Sequence, residues 1–243
     1  MILWRLILAH FISDFVLQNR WIVRNKAHFS GLAVHSLIYF GVALVCLLGR
    51  LNPQVVAILF TLALLHGLVD YVKGQCRSWM RRMEWLLFVL DQGVHGLTLM
   101  LAAGLVSSHD QQVISSLMHL YPAVLFFKYA SLMLLTVVGG IHFTNAVLES
   151  TLEMDTELEG EQERSSCIIG VAERFLITLA VLIGHYELIA FLIAAKSIIR
   201  LPEVRSDHTQ RREAYFSNYF LVGTFVSYAW ALSIAIIFKS MFL

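Results

Sequence analysis

The amino-acid sequence predicts an all-α bundle of membrane-crossing helices, and three observations carry that expectation. Hydrophobic residues make up 58% of the 243, charged residues only 14%, and mean hydropathy is +0.71. Water-soluble domains carry about 25% charged residues, so lipid is the better solvent for this chain. The apolar residues gather into about eight segments, several of them reaching the ~20 residues that span a bilayer. Backbone exposed to lipid must satisfy its own hydrogen bonds, which makes those segments helices.

In chain order the segments cover residues 1–18, 31–49, 54–72, 85–106, 122–146, 168–183, 187–201 and 215–238. The first has no small-residue cleavage site and reads as a membrane helix rather than a signal peptide. Loop charge orients the rest. Arg20, Arg24 and Lys26 follow the first segment, and Lys73, Arg77, Arg81 and Arg82 follow the third, while no Lys or Arg lies between Leu105 and Phe127. The positive-inside rule then places the first and third loops in the cytoplasm and the N-terminus outside, in a plasma (inner) membrane. Lys196, Arg200, Arg205, Arg211 and Arg212 stay inside only if the two short segments around Gly184 form a hairpin turning near Gly184–Tyr186. The acidic stretch Glu149–Glu163 reads as a solvated linker. The expected organisation is a four-helix half over 1–106, a fifth helix with the acidic loop over 107–166, and a hairpin plus a last helix over 167–243. Cys46, Cys76 and Cys167 are too scattered for a disulfide framework or a CxxC metal site. A net charge of +1 with no basic, aromatic-laced strip gives no footing for nucleic acid.

The first half repeats itself. L-A-H-F-I-S-D-F-V around His10 and Asp14 matches L-L-H-G-L-V-D-Y-V around His66 and Asp70. The following helices match too, A-V-H-S-L around His35 against G-V-H-G-L around His95. Each unit is a helix with HxxxD, a basic loop and a helix with VHxL, as expected for a parallel repeat about an axis along the membrane normal.

That repeat carries the ionisable residues. His10, Asp14, His35, His66, Asp70, Asp91 and His95 all fall within the first four segments, although each costs about 2.5–3.5 kcal/mol on insertion scales. His10/Asp14, His66/Asp70 and Asp91/His95 are i,i+4 pairs, so each pair shares a helix face. At about 1.5 Å per residue, five of the seven lie within roughly 5–11 Å of the expected cytoplasmic helix ends, with His10 and His95 at roughly 14–17 Å. One slab of membrane therefore receives all seven. Imidazole and carboxylate are ligands for divalent zinc, with manganese or iron as alternatives. The set can hold two ions bridged by a carboxylate, or one ion with Asp–His pairs orienting its ligands. Asp14, Asp70 and Asp91 are also the candidate catalytic bases. Against this stands the reading of each pair as interhelical glue, or of the whole as a proton or ion pathway.

Outside the cluster the signals are weaker. Gln18 extends the His10/Asp14 face. Lys73 is placed to meet a phosphate or headgroup, or simply snorkels. His142, Asn145 and Glu149 form a polar helix-end face. Lys196 and Arg200 lie opposite Glu173 and Arg174, either as intramembrane salt bridges or as a clamp for an anionic substrate.

The runs H-F-I-S-D-F-V-L-Q at 10–18, H-G-L-V-D-Y-V-K at 66–73 and D-Q-G-V-H at 91–95 resemble a family of uncharacterised bacterial membrane proteins, domain of unknown function 3307. The resemblance covers about residues 5–100. Residues 169–182 and 193–200 are similar to the C-terminal part of longer members, where Asn218 replaces an acidic residue of the pattern. The resemblance implies a multi-helix membrane fold and no established activity. Three functions remain open. The first is a metal-dependent hydrolase of a lipid or lipid-linked phosphate at the cytoplasmic leaflet; the others are a metal-ion or proton transporter, and a membrane scaffold working through the acidic loop.

Overall fold

In the computed structural model, residues 1–26, 28–109, 117–151, 161–205 and 210–242 are described. Every element among them is helical. They are α1 (Ile2–Phe11), a π-helical turn (Ile12–Val16), α2 (Arg20–Asn25), α3 (Phe29–Cys46), α4 (Pro53–Arg77) and a 3₁₀ turn (Arg81–Met83). There follow α5 (Glu84–His109), α6 (Leu117–Met133), a second π-helical turn (Leu134–Gly139), α7 (Gly140–Thr151), α8 (Glu161–Ile183), α9 (Glu187–Arg205) and α10 (Gln210–Phe242). Local chemistry sets several boundaries. Asn52 accepts a hydrogen bond from Val55 N at 2.8 Å with Pro53 beside it, opening α4 as an N-cap followed by proline should. Asn19 caps α2 in the same way through Ile22 N. Gly184 takes φ +84°, a left-handed conformation that ends α8 and costs glycine nothing.

Five helices are long and apolar enough to cross a membrane: Phe29–Cys46, Pro53–Arg77, Glu84–Ser108, Pro122–Thr151 and Tyr219–Phe242. Only 22–39% of their apolar windows is buried within the protein. Leu64, Leu68, Leu97 and Leu101 are among the side chains that face outward, a surface suited to lipid rather than water. These features fit an integral membrane protein. The expected first segment appears as α1 and its π turn, ten and five residues long, together only about 20 Å. The expected segments 168–183 and 187–201 fall in α8 and α9, and residues 152–160 of the acidic stretch lie outside the described residues.

The chain divides into two compact units. One comprises Met1–Arg81 with Leu86–Leu134, the other Arg82–Trp85 with Leu135–Leu243. In the first unit, α3 packs against α1 and α4, and α6 packs against α1. Its apolar core takes Leu6 and Ala9 from α1, Tyr39 and Ala43 from α3, Leu59 and Ala63 from α4, and Ala102 and Val106 from α5. The order along each helix decides where the polar residues go. Going down α1 and α4 the apolar residues come first; going along α3 and α5 they come last. All four helices thus share an apolar layer at one end and a polar layer at the other. Close approach helps to form that polar layer. A Cβ on Gly67 would collide with Ser36 Oγ, so the missing side chain lets α4 settle against α3 beside His35 and His66.

In the second unit, α10 packs against α7 and α8, around Ile177, Tyr228 and Ala231. The π turn at Leu134–Gly139 leaves carbonyls without regular helical partners, and two side-chain donors take them. Trp230 Nε1 donates to Leu135 O at 3.1 Å, and Arg174 Nε donates to Val137 O at 2.8 Å. Arg174 Nη1 also donates to Ser227 Oγ at 2.8 Å.

Candidate metal centre

The seven ionisable residues of the first unit arrive from four helices and one π turn. His10 lies in the last turn of α1, Asp14 in the π turn, His35 on α3, His66 and Asp70 on α4, and Asp91 and His95 on α5. All seven are at most 7% exposed. The π turn matters for Asp14. Leu17 N bonds to Ile12 O five residues back, at 2.9 Å, and Ser13 Oγ donates to Ala9 O. The widened turn changes the direction in which Asp14 leaves the helix, a change that the i,i+4 rule does not foresee.

Four ligand atoms come within short range of one another. Asp14 Oδ1 lies 3.2 Å from both His35 Nε2 and His66 Nε2, and those two nitrogens are 3.0 Å apart. Asp70 Oδ2 lies 3.1 Å from His35 Nε2 and 3.7 Å from His66 Nε2. A regular tetrahedron with ligand atoms about 2.0 Å from its centre has edges of about 3.3 Å, the dimensions of a zinc site with nitrogen and oxygen ligands. These five distances, which cover every edge but Asp14–Asp70, bracket that value. The two imidazole nitrogens are also within hydrogen-bond distance of each other, but Asp14 Oδ1 accepts no aligned hydrogen bond despite both lying at 3.2 Å.

His10, Asp91 and His95 adjoin the quartet. His95 Nε2 is 3.5 Å from Asp91 Oδ1 and 3.9 Å from Asp70 Oδ1, and His10 Nδ1 is 3.7 Å from Asp14 Oδ1. Neither nitrogen of His10, nor His95 Nε2, nor Asp91 Oδ1 has a hydrogen-bond partner. Three overlapping ligand triads follow: His10/His66/His95, Asp14/His35/His66 and Asp14/Asp70/His95. The buried His and Asp side chains can therefore hold a metal ion.

Two lysines border the cluster. Lys73 Nζ donates to Asp91 Oδ2 at 2.7 Å, and Gln92 donates to the same oxygen at 3.1 Å. Lys26 Nζ donates to Asp70 Oδ2 at 2.8 Å. With its amide turned as its neighbours require, Gln18 donates to Asp14 O and accepts from Lys26 Nζ. Three carboxylates against two ammonium groups leave a net formal charge of −1 with neutral histidines, and a buried negative charge of that kind favours a cation.

Two participants escaped the sequence reading. Lys26 registers there only as a loop charge, because nothing local ties it to Asp70. Tyr39 is fully buried and stacks on the His66 ring at 4.6 Å; its one signal is that it lies one turn beyond His35 on the same face of α3. The remaining candidates lie in the second unit. Lys196 Nζ donates to Glu173 Oε2 at 2.5 Å and lies 5.5 and 5.4 Å from the ring centroids of Phe220 and Tyr228. These partners lie almost equally far before and after Gly184, so α8 and α9 run antiparallel there. Arg174 is engaged by Val137 and Ser227, and the side chain of Arg200 lies outside the described residues.

A family model described as protein of unknown function (DUF3307) matches residues 2–125, the stretch that contains the whole His/Asp cluster. No curated protein and no solved structure matches the chain.

Proposed function

The chain belongs to the DUF3307 family, and from that premise we propose that it is a membrane-embedded, metal-dependent hydrolase of a lipid or lipid-linked phosphate. The observation that carries this reading is the quartet Asp14, His35, His66 and Asp70, in which five of the six ligand-atom separations lie at 3.0–3.7 Å, as they would around a zinc ion. A divalent ion there polarises the phosphoryl group and lowers the pKa of a coordinated water towards neutrality. The cluster's carboxylates, Asp14, Asp70 and Asp91, orient the ion and move the proton. In the reaction, the oxygen of water bonds to phosphorus as the bond from phosphorus to the lipid oxygen breaks. One water proton stays on the phosphate, and the other passes through a carboxylate to the departing alkoxide. Lys26 and Lys73, with side chains 22% and 35% exposed, sit where an incoming phosphate would meet positive charge.

In this reading the helices outside the five long ones complete about eight membrane segments. The first four derive from a duplicated HxxxD/VHxL unit, the basic loops are cytoplasmic, and the N-terminus is outside a plasma membrane. The substrate arrives laterally from the lipid, and nucleic acid plays no part. The test begins with protein purified in mild detergent without metal-affinity resin. Elemental analysis should find tightly bound metal, zinc foremost. Micelles containing a long-chain phosphomonoester or prenyl diphosphate should then release inorganic phosphate, and chelation should stop the release. A metal-loaded protein that hydrolyses neither, yet carries the ion across sealed vesicles, would replace the hydrolase with a transporter.

A further inference from the structure

The quartet uses one oxygen of Asp70 and leaves the neighbouring His10, Asp91 and His95 outside it. From their placement we infer that the cluster holds a second divalent ion, bridged to the first through the Asp70 carboxylate and held by Asp91, His95 and His10. This rests on the reading of the quartet as a metal site.

Asp70 Oδ2 belongs to the quartet, while Asp70 Oδ1 is turned to His95 Nε2 at 3.9 Å. Asp91 Oδ1 lies 3.5 Å from the same nitrogen. An ion about 2.2 Å from its ligands in a tetrahedral site separates them by about 3.6 Å, so these two spacings from His95 Nε2 suit manganese, iron or zinc. A nitrogen of His10 lies within 4.8 Å of its counterparts on His66 and His95. Each of these side chains is buried, and His95 Nε2, Asp91 Oδ1 and both nitrogens of His10 lack hydrogen-bond partners. Interhelical glue would draw them into hydrogen bonds, whereas their His and Asp neighbours stand at 3.5–3.9 Å.

The supporting contacts point the same way. Lys73 and Gln92 both bind Asp91 Oδ2, which directs Oδ1 inward, as groups behind a metal ligand commonly do. Two ions sharing a carboxylate lie about 3.5–4 Å apart, a spacing that suits phosphoester chemistry because both the attacking and the leaving oxygen can be stabilised.

Stoichiometry tests this. Full-length protein in mild detergent is stripped with chelator, reloaded with Mn²⁺ alone, gel-filtered and assayed for bound manganese and its electron paramagnetic resonance spectrum. The expected result is two ions per chain with an exchange-coupled spectrum. His95→Gln and Asp91→Asn should each halve the bound metal and leave an uncoupled signal. One uncoupled ion per chain in the wild type overturns the second site and leaves the quartet standing. No bound ion overturns both. Two ions retained in both variants place the second ion elsewhere and overturn the proposal as well. If the variants do not fold, the wild-type count and coupling decide alone.

Discussion

Replacing Lys26 with methionine separates a metal site from a salt-bridge network, because the two predict opposite effects on cation binding. The lysine Nζ sits 2.8 Å from Asp70 Oδ2, one of the four quartet atoms. An ion about 2.0 Å from that oxygen would lie roughly 4 Å from the ammonium group, where repulsion between a double and a single charge is about 8 kcal/mol at an effective dielectric of 20. Lysine avoids most of this by swinging outward, since its side chain is already 22% exposed. What binding must then overcome is the lost charged hydrogen bond, about 1.5–3 kcal/mol. Lys26→Met keeps the apolar stem and removes that competitor, so affinity should rise by about 10–100-fold. The metal-free variant should melt at a lower temperature in detergent, and added metal should recover the loss. Competition with a chromophoric chelator measures the affinity, and thermal melts with EDTA or excess metal measure the linkage. Unchanged or weaker binding would refute the argument, since it would mean that the ion does not use Asp70 Oδ2.

Three further outcomes follow from individual contacts. His66→Ala removes a nitrogen that lies against Asp14, His35 and Asp70, and should abolish tight metal binding. Lys239→Ala removes a bond to Val181 O and a contact with the Tyr186 ring, both in the second unit, and should keep wild-type metal content; equal metal in both variants would exclude the quartet. Arg174→Met orphans Val137 O and Ser227 Oγ, and should cost about 2–4 kcal/mol of stability in detergent while leaving metal content unchanged. A cysteine at position 79, where Trp79 is 92% exposed, should resist a membrane-impermeant thiol reagent applied to intact cells. Strong labelling there would reverse the orientation drawn from the basic loops.

Much of the site was legible because helical spacing is a local property. His66 and Asp70 share a face of α4 for the same reason that any i,i+4 pair does, and their ligand atoms lie 3.7 Å apart. The antiparallel alternation of four helices then brought seven side chains to one depth by counting residues alone. Asp14 was harder to place, since the turn that carries it is π-helical and its exit direction departs from the regular rule. Lys26 was not legible at all, lying 44 positions from the carboxylate that it binds.

The sequence by itself determined an all-helical chain suited to lipid, the membership of the cluster and its common depth. Those follow from composition, the hydrogen-bonding demand of a backbone in lipid, and a constant rise per residue. Only the tertiary structure decided which atoms form the quartet, which carboxylate oxygen remains for a neighbour, and how closely α3 and α4 approach at Gly67. Those depend on the rotation and crossing of packed helices, which small residues, π turns and distant side chains set together. No single stretch of chain encodes them.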